Sequence, residues 1–220
     1  MIRLHHVAQS RSFRTLWLLE EMGLDYELRH WSFFDKSMRS PEFLALSPAG
    51  RVPVLEIDGR VLFESGAIAE YLCETRQDLG FAPLPGTEGR AEFLEWLHFA
   101  ETMGSLLANL TQHHVVLRDP SMRSETVMRL EAKRLEKCLG AVERAIEGQD
   151  YLLKGGFSAA DVAVSYGMII GQKFVDLSAF PTLLAYFDRL SGRPAFKRAA
   201  AKDGQATIYK HDFYPQPELD

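Results

Sequence analysis

Four places in the chain set reactive or charge-bearing residue types at spacings that could hold one small ligand. The first is Gln9-Ser10-Arg11-Ser12-Phe13-Arg14, where a strand hands over to a helix. Hydroxyls and unpaired backbone N–H groups converge at such a junction and favour a thiolate or another anion. Capping of the helix by Ser10 or Ser12 is the plainer use of the same hydroxyls. The second place is Arg51-Val52-Pro53-Val54. A proline at the head of a strand keeps the preceding residue extended. With a cis bond there, Val52 would offer its backbone groups to a cleft, and an extended peptide could pair with them as an added strand. The alternative is a rigid entrance to a buried strand. In the third, Phe63-Glu64-Ser65-Gly66, an acid ends an apolar strand and a serine opens a helix. Such a pair would take an ammonium on Glu64 and a carboxylate on Ser65 and the helix N-terminus. A bare helix cap would leave Glu64 without a task. Lys36, Arg39 and Arg51 make the fourth place, as cations for a second carboxylate or as solvated surface.

Together these places describe one ligand shape. It has an α-amino-acid end, an extended middle, a terminal carboxylate and a reactive atom near Ser10.

The elements that must position them follow from hydrophobic spacing. Ile2–Val7 and Tyr26–Trp31 read as strands on either side of a helix over Phe13–Met22, where Leu16, Leu19 and Met22 recur at helical spacing and Gly23 ends the run. Ser40-Pro41 starts a short capped helical turn. Val54–Ile57 and Val61–Phe63 flank Asp58-Gly59, a hairpin signal, and a helix follows from Ser65 to about Thr75. The order strand-helix-strand, then hairpin and helix, gives residues 1–80 a mixed four-stranded sheet covered by helices. Residues 81–89, with two prolines and two glycines, read as a linker. From Arg90 the strand signals vanish, and residues 90–202 read as all helical. Arg90–Leu110 is apolar over more than one stripe, and Phe93, Trp96 and Phe99 make it the best surface for a second copy. Ser124–Ile146 is amphipathic. Ser158-Ala159-Ala160-Asp161 is a capping box opening a central apolar helix, with Phe157 placed as its staple. Residues 203–220 read as a polar tail.

Composition narrows the function classes. The 220 residues carry 25 basic and 30 acidic side chains with no basic block, so nucleic-acid and anionic-membrane partners are not expected. No apolar run approaches the roughly 18 residues of a membrane span. The start runs directly into strand-like sequence without secretory features, and the two cysteines, Cys73 and Cys138, lack redox or metal spacing. A cytoplasmic protein with reduced thiols is the expectation. Neither His5-His6 nor His113-His114 has the third ligand of a zinc site, so no metal is expected.

Ser10 through Gly23, Pro48-Ala49-Gly50-Arg51-Val52-Pro53-Val54-Leu55, Glu64-Ser65-Gly66-Ala67-Ile68 and Phe157-Ser158-Ala159-Ala160-Asp161 occur in the order of the glutathione S-transferase family. The resemblance spans about residues 2–200. Its serine-rich opening is most similar to the fungal and bacterial branch typified by yeast glutathione transferase I. The resemblance implies a thioredoxin-like N-terminal domain, an all-helical C-terminal domain, glutathione as co-substrate and a homodimer. It implies that Pro53 is the cis-proline, that Val52 pairs with the cysteinyl part, and that Glu64 and Ser65 hold the γ-glutamyl head. Arg39 and Arg51 fall where the glycyl carboxylate is received. Serine classes place the activating serine five residues before the arginine matching Arg14, and Gln9 stands there. Ser10 instead coincides with the cysteine of the bacterial beta class. Ser10, Ser12 and a backbone N–H therefore all stand as activators, with Arg11 as a supporting cation. Residues 1–72 contain no cysteine, which points to activation of a bound thiol and away from mixed-disulfide chemistry.

The implied reaction joins the thiolate to a small hydrophobic electrophile, with peroxide reduction as a second use of the same site. Met103, Leu106, Leu107, Leu110, His113, His114 and Val115, with Phe13 and Phe34 from the other side, are the candidate wall for that electrophile. A glutathione-dependent isomerase of the maleylacetoacetate type and a non-catalytic regulator or scaffold are the alternatives on this fold.

Overall fold

The computed structural model describes residues 1–217. Strands β1 (Arg3–His6), β2 (Glu27–His30), β3 (Val54–Ile57) and β4 (Arg60–Phe63) form one sheet in the order β2-β1-β3-β4. β1 runs parallel to β2 and antiparallel to β3, and β3 runs antiparallel to β4. A parallel pair needs a crossover, supplied by α1 (Ser12–Glu21). The hairpin needs only the two residues Asp58 and Gly59, both at positive φ (52° and 72°), the conformation that matches strand twist.

Period-two alternation sorts the side chains of the sheet. Leu4 is in register with Leu28 and Leu55, and Leu55 with Leu62, so the four share the face covered by α1 and α3 (Ser65–Thr75). Arg3 and His5 take the opposite face, where Arg3 pairs with Glu27 at 2.9 Å and His5 bonds Glu56 at 2.9 Å. His5 also packs there on Trp31 and on Phe43 of α2 (Pro41–Leu46), whose N-terminus is capped by Ser40 Oγ. The adjacent histidines therefore diverge, and His6 turns inward and is fully buried.

The helical part comprises α4 (Arg90–Thr111), α5 (Glu125–Ala145), α6 (Ala159–Gly171), α7 (Pro181–Ser191) and α8 (Pro194–Asp203). α6 begins at the capping box, in which Asp161 accepts the Ser158 N–H at 2.8 Å and also the Leu152 N–H and the Tyr186 hydroxyl. Nearly every residue of α6 is buried, and α4, α5, α7 and α1 pack around it. Gly167 makes the α4 approach possible, because a Cβ there would lie 2.1 Å from Met103 Cε.

Three features differ from the sequence expectation. α4 continues through Thr111 into a single π-helical turn, Gln112–Val116. Phe93 is fully buried within its own chain beneath Arg90, so it is not surface for a second copy, whereas Trp96 and Phe99 are half-buried. The segment after α8 is not simply a polar tail: Ile208, Tyr209 and Tyr214 are buried in the main core, and the Tyr214 N–H donates to Lys173 O at 2.7 Å. Its few aromatic residues were masked by polar neighbours. Residues 218–220 of the expected tail lie outside the described residues.

Charge locks α1 to α8. Glu20 accepts from Arg198 at 2.7 Å, from Lys202 at 2.6 Å and from the Tyr26 hydroxyl at 2.5 Å, and Arg193 makes a two-nitrogen contact to Glu21. Burial alone would raise Glu20, but Lys202, Tyr26 and Arg198 hold it at about 2, below its ordinary 4.5. A depressed carboxylate stabilises the fold fully above its unfolded value and loses that contribution as pH falls through its folded value. Glu20→Gln should therefore lower thermal stability at neutral pH and weaken the loss of stability between about pH 4.5 and 2, as thermal unfolding across that range will show. Asp161→Ala strips partners from buried donors and should cost about 3 kcal/mol in chemical denaturation.

Candidate active site

The expected ligand-holding residues converge. Arg11, Arg51, Val52, Pro53, Glu64 and Ser65 line one narrow groove between the entry to β3 and the N-terminus of α3. The Val52–Pro53 bond is cis. Glu64 stands immediately before α3 with its side chain exposed and its backbone at φ 71°, a strained conformation for a residue with a Cβ. No side chain caps α3. Its first-turn N–H groups have no carbonyl partner within the helix and suit an anion.

Sequence reading missed what lies beneath this groove. Glu101 of α4 accepts from Arg11 at 2.9 Å, from Arg14, and from the Ser65 hydroxyl at 3.2 Å. Arg14 also contacts Ser65 Oγ at 3.2 Å, donates to Ala100 O at 2.9 Å and lies over the Tyr166 ring. Burial would raise the Glu101 carboxyl, but Arg14 and Arg11 hold it below the ordinary value. Burial lowers the Arg14 guanidinium, with Glu101 opposing. Ser65 thus uses its hydroxyl on the helical bundle, leaving the backbone at the helix start for a ligand. An acid midway along a long helix carries no local signal for this role.

Arg51 reaches the groove, whereas Arg39 does not line it. In the short turn Ser37–Arg39, Met38 is the buried residue, which leaves Arg39 in solvent. Lys36, at positive φ just before the turn, is exposed as well.

The groove opens into a cleft of about 560 Å³ that shares Arg11, Arg51 and Val52 with it. Ser10 lines the cleft beside Arg11, 7 % exposed, with Oγ 2.7 Å from Val7 O and 2.7 Å from Ser12 Oγ. Ser12 is sealed from the cleft at 0 % exposure, and its Oγ lies 2.7 Å from His6 Nδ1. Ser10 Oγ accepts the N–H of Ser12, the first residue of α1, at 3.3 Å, whereas Ser12 Oγ accepts the Val7 N–H instead. Gln9, at φ 60°, turns its side-chain oxygen to the Ile208 and Tyr209 N–H groups, so it ties down the C-terminal segment.

Leu107 lines the cleft together with Gly104, Thr111 and Val115, along one α4 face and the π turn. Except for Phe34, the other expected wall residues lie elsewhere. Met103 is rotated toward α6 and fully buried, and Phe13 packs edge-on against Phe196. His113 accepts the Ser124 N–H at 3.1 Å and so secures the start of α5. His114 packs on Phe174 and Tyr214 and lines an adjoining cavity, with its value pushed down to about 4 by burial, Arg123 and His113. Phe34 lines the mouth as expected, and the wall further includes Phe33, exposed beside it, together with Tyr166, Ile208 and Tyr209. Burial raises both phenols, Tyr209 to about 12, so each remains a hydroxyl. Tyr209 shares a 2.8 Å hydrogen bond with Thr111. Only chain folding from a distance brings these residues in.

Burial pushes Cys73 up to about 12 and raises Cys138, so both are poor nucleophiles. Among the described residues no cluster of three or more His, Cys, Asp or Glu is placed to hold a metal, and no helix is long and apolar enough to cross a membrane.

Residues 1–74 match the family profile for the N-terminal domain of glutathione S-transferase, and residues 113–203 match a profile for its C-terminal domain. The chain is 28% identical over 240 aligned positions to glutathione S-transferase 3 of Schizosaccharomyces pombe, covering 99% of this chain and 98% of that protein. It is 30% identical to glutathione S-transferase 4 of Zea mays, covering 85% and 86%. It is 31% identical to maleylacetoacetate isomerase of Rhizobium meliloti, covering 86% and 91%. A sphingomonad glutathione S-transferase solved in complex with glutathione superposes with a TM-score of 0.80 at 25% identity, over 93% of this chain and 100% of that one. Fold, groove and relatives agree on the class: the chain belongs to the glutathione S-transferase family.

Removing Glu101 would leave Arg14 buried without its counter-charge. Glu101→Ala should lower stability by about 3 kcal/mol, measured by chemical denaturation, and loosen the Ser65 end of the groove.

Proposed function

We propose that the protein is a glutathione transferase that adds the thiolate of glutathione to small hydrophobic electrophiles. The observation that carries this reading is the shared junction. A groove lined by Arg51, Val52, Pro53, Glu64 and Ser65 meets, at Arg11, Arg51 and Val52, a largely apolar cleft that Ser10 lines. Glu64 takes the ammonium of the γ-glutamyl head, and the α3 N-terminus takes its carboxylate. Val52 pairs with the cysteinyl backbone, and Arg51 receives the glycyl carboxylate. This arrangement delivers the sulfur to Ser10.

An alkyl thiol with a pKa above about 8 is mostly protonated at neutral pH. Ser10 acts as a hydrogen-bond donor to the sulfur, and the start of α1 and Arg11 add positive potential. Each unit by which the thiol is lowered corresponds to about 1.4 kcal/mol of differential stabilisation. Leu107, Val115, Phe34 and Ile208 hold the electrophile, with the Tyr166 and Tyr209 rings beside it. A hydroperoxide would meet the same sulfur, which makes peroxide reduction a second activity of this site. The serine-rich opening supports placement in the fungal and bacterial branch. The half-buried Trp96–Phe99 pair on α4 supports a homodimer.

The isomerase relative supports a second reading, in which glutathione adds to a diene, permits rotation and leaves unchanged. Consumption of glutathione separates the two. Glu64→Ala and Ser65→Ala should each weaken glutathione binding by about tenfold in calorimetry. Ser10→Ala should instead raise the midpoint of the bound thiolate's ultraviolet absorbance by about one unit with little change in affinity. A protein that binds no glutathione would be a scaffold on this fold.

A further inference from the structure

Behind Ser10 lies a chain of buried groups that neither the sequence motifs nor the proposed reaction has used. Ser10 Oγ is 2.7 Å from Ser12 Oγ, Ser12 Oγ is 2.7 Å from His6 Nδ1, and His6 Nε2 is 2.9 Å from Asp203 O and 3.2 Å from Asp203 Oδ1. Ser12 and His6 are fully buried. Asp203 is the last residue of α8. Its Oδ2 accepts the Gln9 N–H at 3.1 Å, while its buried Oδ1, beside His6 Nε2, has no hydrogen-bond partner.

The direction of this chain follows from donor and acceptor inventory. His6 Nε2 faces only a carbonyl and a carboxylate, both acceptors, so it carries the hydrogen. Nδ1 of the neutral ring then presents a lone pair and takes the Ser12 proton. Ser12 Oγ accepts from the Val7 N–H at 3.2 Å, and the Ser10 hydroxyl has two acceptors at 2.7 Å, Val7 O and Ser12 Oγ, so the relay runs when its proton turns from Val7 O to Ser12 Oγ. Ser10 Oγ also accepts the Ser12 N–H at 3.3 Å and keeps one lone pair, and Ser10 lines the cleft, so that lone pair is the one to receive a proton from a thiol.

We propose that Ser10, Ser12, His6 and Asp203 form a relay that takes the thiol proton of bound glutathione into the protein and stores it on His6. The inference rests on the transferase reading of the cleft. In the step, the S–H bond breaks and its proton goes to Ser10 Oγ. The Ser10 proton moves to Ser12 Oγ, and the Ser12 proton moves to His6 Nδ1. One N–H bond forms, two O–H bonds are exchanged, and the products are a thiolate and an imidazolium. After the shift Ser10 donates to the sulfur, the orientation that stabilises the anion. Asp203 Oδ1 faces the new positive charge, as the acid does in a Ser-His-Asp triad.

The surroundings suit a stored charge on His6. His30 of β2 stands edge-on at 5.4 Å, and burial, then His6, hold it below the ordinary histidine value, with Asp203 opposing. From α6, Tyr166 brings a protonated phenol, bonded to Gln9 O at 3.4 Å. Arg11, just before α1, and Arg14 on it are committed to Glu101. His6 acts through two hydroxyls and never touches substrate, so it is a positioning and proton-holding residue.

The test uses the full chain with ¹⁵N-labelled histidine. Calorimetry first establishes that glutathione and S-methylglutathione bind. Glutathione should then turn the His6 ring from singly to doubly protonated in nitrogen NMR near neutral pH. S-methylglutathione, which has no thiol proton to give, should leave it singly protonated. A His6 ring that stays singly protonated with glutathione, or responds alike to both peptides, overturns the relay while leaving the transferase reading intact. Failure of the wild-type protein to bind either peptide overturns both.

His6→Asn, which keeps an acceptor toward Ser12 but cannot hold the proton, should raise the bound-thiol midpoint by about one unit and lower kcat about tenfold near neutral pH, with the KM for glutathione unchanged. Asp203→Asn keeps the α8 end and should shift the midpoint in the same direction by less. Unchanged midpoints in both folded variants would also overturn the proposal.

Discussion

The site depends on a buried charge pair, Arg14 with Glu101. One partner comes from the first helix of the sheet domain and the other from the middle of the long helix α4. Charges removed from water are tolerated only when paired and hydrogen-bonded, so Arg14 must find Glu101, and the helical bundle must dock at one place on the sheet. Ser65 bonds Glu101, and its hydroxyl is thereby fixed at the start of α3. The groove that ends at Glu64 and Ser65 is thus supported from outside the domain that forms it. The Glu20 and Glu21 clusters repeat the principle at the other end of α1, where Arg193, Arg198 and Lys202 bring in α8.

This docking also shapes the cleft, because α8 ends at Asp203, directly beneath the turn that carries Gln9, Ser10 and Ser12. The chain that continues from α8 then crosses the cleft, held by the Gln9 side chain, and contributes Ile208 and Tyr209 to its wall. The same aspartate closes the hydrogen-bond chain behind Ser10 and anchors the turn beside the cleft. The Ser10 turn and the far wall of the cleft are two consequences of how one helix end meets one strand end.

The sequence made most of the fold legible, since its signals are local. Asp58-Gly59 supports a two-residue turn, Ser40 and Ser158 cap their helices, and the spacing in Ser124–Ile146 fits an amphipathic helix. The groove was legible for the same reason: Val52-Pro53 and Glu64-Ser65 each combine a backbone requirement with a side chain in one short segment. The electrophile wall was less so. Met103 and Leu107 are both apolar and one turn apart, yet one packs into α6 and the other faces the cleft. Apolar type does not say which neighbour a residue will meet.

What the sequence determined by itself is the order of elements and the residue types at the groove, because caps, turns and periodicity act over a few residues. It offered Ser10 and Ser12 as equivalent hydroxyls and His5 and His6 as an undivided pair. Only tertiary structure separated them. Strand alternation sent His5 to one face and His6 to the other, and burial closed over Ser12 while leaving Ser10 at the cleft. Asp203, about 200 positions away, reached His6 only because the helical bundle had docked. Long-range contacts are selected by burial and charge pairing across the whole chain, and no local pattern encodes which distant partner will arrive.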